Sequence, residues 1–134
     1  MVTAKIYYEG QLRTSCTHIQ SGSSIVTDAP TDNHGKGEAF SPTDLLSTSL
    51  LSCMITTMGI AAKKQNIPFE KCDGDMTKVM ASDPRRVTRI IVTIRMDASL
   101  NNEQRKIMEA AALNCPVAKS LHPDIDQQVK FEYV

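Results

Sequence analysis

Ile90, Val92, Ile94 and Met96 recur at every second position, while Arg89, Thr93 and Arg95 share the intervening face with Ile91. Alternation with period two predicts a strand with one buried face, here over 87–98. Fainter alternation predicts three earlier strands over 3–8, 11–20 and 23–28, with Gly10 closing the first and Ser21-Gly22 turning into the third. A strand over 69–81 carries Gly74, where a bulge is expected. The turn "SDPRR" joins it to 87–98, and a last strand over 128–134 sets Val129, Phe131 and Tyr133 on one face.

Residues 40–65 follow a different pattern. Ser41 suits a helix N-cap, Pro42 the first helical position and Asp44 the first turn, where the helix dipole favours an acid. No charge then occurs from Leu45 to Ala62. A membrane span would need about 20 predominantly apolar residues. This run holds too many Ser and Thr for that and lies between soluble segments. It reads as a core helix without a polar face, buried nearly all round. One domain of 134 residues offers too little cover for such a helix, so a second copy of the chain is expected to complete it.

A second helix is predicted over 101–114, capped by Asn101 with Gln104 three residues on, its inner stripe formed by Ile107, Met108, Ala111 and Ala112. Pro116 ends it and opens a short helix over 116–123. The stretch "APTDNHGKGEAFSP" has no periodicity and reads as a loop. The order is βββ-α-ββ-αα-β, with neither repeats nor a long linker. It predicts one α+β domain over 1–134, an antiparallel sheet packed on a long central helix.

Charge narrows the function. Lys+Arg and Asp+Glu each number 15, so there is no basic excess to attract nucleic acid. The chain does not start with a basic segment followed by an apolar one, and a cytoplasmic location without a membrane partner is expected. His18, His34 and His122 stand apart at no metal-ligand spacing and read as surface residues; no phosphate-binding motif occurs. No cofactor or metal is expected.

Cys16, Cys53, Cys72 and Cys115 show neither zinc-knuckle nor C-x-x-C spacing. In a reducing compartment structural disulfides are disfavoured, so any cysteine that matters should matter by reactivity. Cys53 sits mid-helix among Leu, Met and Thr, where a thiol is usually inert core. Cys115 directly precedes Pro116 and so falls at a helix N-cap, with Lys119 one turn on; local physics makes it the better thiolate.

Two stretches carry a family resemblance. "FSPTDLLSTSLLSCMITTMGIAA" resembles the first-cysteine helix of the OsmC/Ohr family, the osmotically induced and organic hydroperoxide resistance proteins. "AALNCPVAKSLHPDIDQQVKFEY" resembles its second motif, a Cys-Pro before a short helix and the last strand. The element order matches the family as well. The resemblance implies an intertwined homodimer that reduces organic hydroperoxides, with Cys53 as peroxidatic thiol, Cys115 as resolving thiol and an external dithiol as reductant.

That order reverses the ranking from local physics. An arginine over Cys53 would reconcile the two, since a nearby positive charge favours a thiolate. Arg13 is the match to the family's arginine. In the peroxidase branch a glutamate follows the Pro at the helix start; that position is Thr43 here, with Asp44 beside it and Glu38 upstream. Glu38, on a loop able to close over substrate, is the preferred stand-in. Leu50, Met54 and Met58 are expected to line the surroundings of Cys53, and Cys16 and Cys72 to be bystanders. Thr43 also supports the alternative of a non-catalytic dimer that binds a small apolar ligand.

Overall fold

A computed structural model describes residues 1–134. The elements are β1 (Ala4–Gly10), β2 (Arg13–His18), β3 (Ser24–Asp28), a 3-10 turn (Thr31–Asn33), α1 (Pro42–Gln65), β4 (Cys72–Ala81), β5 (Arg86–Met96), α2 (Asn102–Leu113), α3 (Pro116–Ser120) and β6 (Asp126–Tyr133). The order is the predicted one. The chain divides into two compact units, Met1–Leu46 and Ser47–Val134.

In the first unit β1, β2 and β3 form an antiparallel sheet in chain order. Gln11 and Leu12 turn β1 into β2 with φ of 53° and 62°, a left-handed pair that suits the twist of a tight hairpin. Ile6, Tyr7, Tyr8, Ile25 and Val26 all remain exposed. With no face fully covered inside the chain, selection for strict alternation is weak, which is why these strands read faintly in the sequence.

The 29–40 segment is held rather than slack. Ala29 N–H donates to Leu12 O at 3.0 Å, Gly35 N–H to Pro30 O at 2.9 Å, and Asp28 N–H to Phe40 O at 3.1 Å. Gly35 is required there, because a Cβ would fall 1.7 Å from Ala29 O. At its end Ser41 and Asp44 cap α1 reciprocally: Asp44 N–H donates to Ser41 Oγ and Ser41 N–H to an Asp44 carboxylate oxygen, both at 3.0 Å.

In the second unit the sheet order is β4-β5-β6. β4 and β5 are antiparallel, but β6 runs parallel to β5, with Val92 opposite Val129 and Met96 opposite Tyr133. This corrects the expected wholly antiparallel sheet. The two helices between β5 and β6 form a crossover that returns the chain to the end where β5 began. The expected bulge at Gly74 is also absent. Gly74 pairs in register with Ile94, and the register shift lies between Val79 and Met80. The glycine serves packing instead, since a Cβ would meet Thr93 O at 2.7 Å and the Leu51 methyls at 3.2 Å.

Ile90, Val92, Ile94 and Met96 are wholly buried, as the alternation predicts, and pack with Leu50, Met54, Met58 and Met108 in one core. At roughly 25 cal/mol per Å2 of apolar surface buried, this cluster is the main stabilising element of the unit. By length and composition α1 would pass for a membrane span, but its Leu50–Met54–Met58–Ala62 stripe belongs to that core. The expected enclosure on all sides is not met within one chain: Leu46, Ser52, Thr56 and Ile60 are exposed on the same helix. Asn101 caps α2 with the predicted reciprocal bonds to Gln104.

Candidate functional site

Two clusters of chemically capable side chains stand out, one in each unit. In the second unit Cys53 is half-buried on α1, one residue before fully buried Met54. Its Sγ lies 3.9 Å from Thr57 Oγ1, one helical turn on. Cys115 is the N-cap of α3, and its Sγ accepts from Ala118 N–H at 3.4 Å. The two thiols pack in the same core cluster, close enough for Cys53 to raise the Cys115 thiol, and all four cysteines are unpaired as thiols.

The environment overturns the local-physics ranking. The Cys115 side chain has no solvent exposure. Burial pushes its thiol up, and proximity to Cys53 pushes the same way, against the Ala118 and Val117 N–H groups that favour the thiolate. The helix N-terminus is present as predicted, but desolvation outweighs it. Lys119 is exposed. Cys115 is therefore a protonated, sheltered thiol next to a more accessible one.

Leu50, Met54 and Met58 need a second correction. All three are wholly inside the core, so they support α1 from behind and offer no wall to an incoming molecule. The apolar surface α1 does present is a cleft of about 420 Å3 lined by Leu51, Ile55 and Met76 with Thr48, Ser52, Gly74 and Asp75.

In the first unit Arg13 opens β2 directly opposite Asp28, the last residue of β3. Arg13 Nε donates to Asp28 Oδ1 at 2.7 Å and Nη2 to Oδ2 at 2.8 Å, a two-pronged charge-assisted pair. Glu38 joins through its Oε1, 3.4 Å from Nη2, and its own N–H donates to Asp28 Oδ2 at 3.1 Å. Asp28 is 1% exposed and Glu38 65% exposed. The Arg13 bond holds the Asp28 carboxyl below the usual carboxylate range despite burial, with Glu38 N–H and the Lys36 charge helping. Arg13 is held correspondingly more firmly protonated, chiefly by Asp28.

The structure thus brings Cys53 to Cys115 and Arg13 to Glu38, while Asp44 serves the α1 cap. Asp28 is the residue that sequence reading missed. The turn hid it: β2 and β3 are joined by a four-residue loop over 19–22, whereas a two-residue turn at Ser21-Gly22 would set Pro30 opposite Arg13. Cys16 and Cys72 are half-buried on β2 and β4, with burial raising the Cys72 thiol, and the three histidines are exposed.

Comparison with known proteins narrows what this arrangement belongs to. A family model described as OsmC-like protein matches residues 35–130. A crystal structure of a candidate osmotic stress induced and detoxification response protein from Psychrobacter arcticus 273-4 is similar at 53% identity and a TM-score of 0.94, covering 98% of this chain and 96% of that one. The organic hydroperoxide resistance protein OsmC of Legionella pneumophila shares the fold at 18% identity and a TM-score of 0.73, over 96% and 94% of the two chains. OhrB of Bacillus subtilis, an organic hydroperoxide resistance protein, does so at 19% identity and a TM-score of 0.64, over 98% of each. No curated protein matches the chain.

Proposed function

The chain belongs to the OsmC-like family, and from that premise we propose that it is a thiol peroxidase that reduces organic hydroperoxides through Cys53 and Cys115. The single observation that carries this reading is the placement of those two thiols in one core cluster, one half-open and one sealed. A peroxidatic thiol must meet its substrate, and a resolving thiol must wait beside it without reacting first.

The Cys53 thiolate attacks the terminal oxygen of ROOH; the O–O bond breaks, and the RO fragment leaves with the electron pair and takes a proton as ROH. Cys53 is left as a sulfenic acid. The Cys115 sulfur displaces its hydroxyl, which departs as water, and a Cys53–Cys115 disulfide remains. An external dithiol reduces it by exchange. A guanidinium stays charged at every working pH and suits the stabilisation of both the thiolate and the developing alkoxide; this role falls to Arg13, with Glu38 beside it. The hydroperoxide-resistance names of the Legionella and Bacillus relatives support an organic substrate.

The working form in this reading is a homodimer. A second copy would cover the apolar side chains that a single chain leaves open, among them Ile6, Ile25, Leu46 and Ile60. A monomer in sedimentation at low micromolar concentration would remove this part of the proposal.

Thiol counting after one equivalent of cumene hydroperoxide tests the chemistry. Loss of two thiols per chain, located by mass spectrometry at Cys53 and Cys115, is expected. Loss of none would favour the second reading, a non-catalytic dimer whose apolar cleft beside Leu51, Ile55 and Met76 holds a small ligand.

A further inference from the structure

We propose that Asp28 is the positioning residue of Arg13 in the hydroperoxide reaction, the part that Glu38 plays only weakly. The inference rests on the peroxidase reading above. Its grounds are the donor geometry of one guanidinium and the burial of its two acids.

Arginine carries five N–H donors in a rigid plane. Asp28 takes the Nε–Nη2 edge with both carboxylate oxygens, at 2.7 and 2.8 Å. This side-on grip fixes the plane of the guanidinium as well as its position, which a single bond cannot do. It leaves the two Nη1 donors without a partner in the chain, available to an anion such as a thiolate or an alkoxide. Glu38 reaches only Nη2, at 3.4 Å, from a side chain 65% exposed. An exposed acid at that distance is screened by water and holds its partner loosely.

Asp28 is itself fixed on every side that matters. It is 1% exposed, pairs in the ladder opposite Arg13, and accepts Glu38 N–H on Oδ2. Its backbone N–H donates to Phe40 O. One carboxylate therefore binds the arginine and, through the same oxygen, the segment that bears Glu38. Charge alone would be served by an exposed acid; a buried acid with three directed hydrogen bonds orients.

An asparagine cannot replace it. Its amide would offer N–H groups to a guanidinium or backbone N–H that also donates, so at least one bond is lost at nearly unchanged volume. Asp28→Asn is expected to slow Cys53 oxidation by cumene hydroperoxide on the order of tenfold, the size of a lost hydrogen bond to a charged partner. Glu38→Gln should slow it by less than about threefold, as an exposed pair does.

A double-mutant cycle separates positioning from support of the fold. The second-order rate of Cys53 oxidation is measured in wild type, Asp28→Asn, Arg13→Ala and the double variant, with Asp28→Ser in place of Asp28→Asn should the latter not fold. The expected result is a loss on Asp28→Asn that vanishes once Arg13 is alanine. An equal loss in both backgrounds would overturn the proposal, because Asp28 would then act on the fold. So would a wild-type rate in Asp28→Asn while Arg13→Ala is slow, or a larger loss in Glu38→Gln than in Asp28→Asn. If Arg13→Ala matches wild type, Arg13 has no role in the reaction and the peroxidase reading of that residue falls, taking this inference with it.

Discussion

The two units solve opposite problems. In Ser47–Val134 a thiol pair is set into an apolar core, where burial holds Cys115 protonated and wholly hidden. In Met1–Leu46 an ion pair is held at the end of an open sheet, where Asp28 is buried against Arg13 while Ile6, Tyr8 and Ile25 remain exposed. One unit keeps a reactive group quiet by removing water; the other keeps a charge fixed by directed bonds. The proposed peroxidase reaction calls on both devices, since a thiolate is made by charge and preserved by exclusion of solvent.

The largest effect should come from breaking the thiol side. Cys53→Ser is expected to abolish hydroperoxide reduction, whereas Cys115→Ser should still consume about one equivalent per chain and leave a sulfenic acid at Cys53, trapped by dimedone and read by mass spectrometry. With iodoacetamide at neutral pH, Cys53 should alkylate before Cys115, whose burial and raised thiol disfavour attack. Cys115 alkylating first would invert the assignment of roles.

Matched truncations sharpen the contrast in packing. Ile94→Ala removes a fully buried side chain of β5 and should cost about 2–5 kcal/mol in urea unfolding, at any protein concentration. Ile6→Ala removes one that is 60% exposed in the single chain, which alone should cost within about 0.5 kcal/mol. A larger cost that shrinks on dilution would come from cover by a second copy, because dilution takes that cover from the wild type as well. A large cost without concentration dependence would mean that the first sheet finds its cover inside the chain.

Much of this contrast was legible in the sequence, for reasons that differ between the units. The β5 alternation at Ile90, Val92, Ile94 and Met96 was plain because one face is sealed, so every second position is constrained. The α1 start was plain because Ser41, Pro42 and Asp44 each suit one position of a helix N-terminus. Three features were not. The parallel direction of β6 depends on how α2 and α3 carry the chain across, and strand patterning has no sign for direction. Gly74 looked like a bulge because its neighbour Leu51 is remote in sequence. Cys115 looked activated because a cap is local and visible, while the burial that overrides it comes from the whole core.

Gly74 gives the next effect down. A methyl there would press on Thr93 O, which is ladder backbone and cannot yield, and on the Leu51 side chain, which can. Gly74→Ala is expected to cost about 1–3 kcal/mol in thermal or urea unfolding, as overpacking does. If the position were a bulge after all, alanine would be tolerated at under about 1 kcal/mol, and trimming Leu51 to alanine would bring no relief in the double variant.

The smallest expected effect concerns pH and belongs to the charged side of the contrast. The Asp28 carboxyl lies below its usual range in the fold, through its bond with Arg13 first and Glu38 N–H and Lys36 after it, with burial opposing. In the unfolded chain it protonates near about 3.9. A depressed folded value means that the unfolded state binds the proton more readily. The stabilising contribution is therefore complete above the unfolded value and is lost as pH falls through the folded one. Arg13 moves the other way, upward, and titrates above any working pH, so the pair adds no alkaline limb. The stability difference between wild type and Asp28→Asn, from urea unfolding at a series of pH values, should accordingly be flat from neutrality to about pH 5 and shrink below about pH 4. A difference that stays constant into acid would mean that the variant acts through the shape of the side chain. A difference that shrinks toward alkaline pH would have the opposite sign to that of a depressed carboxyl and would remove the ion pair as the source of Asp28's contribution.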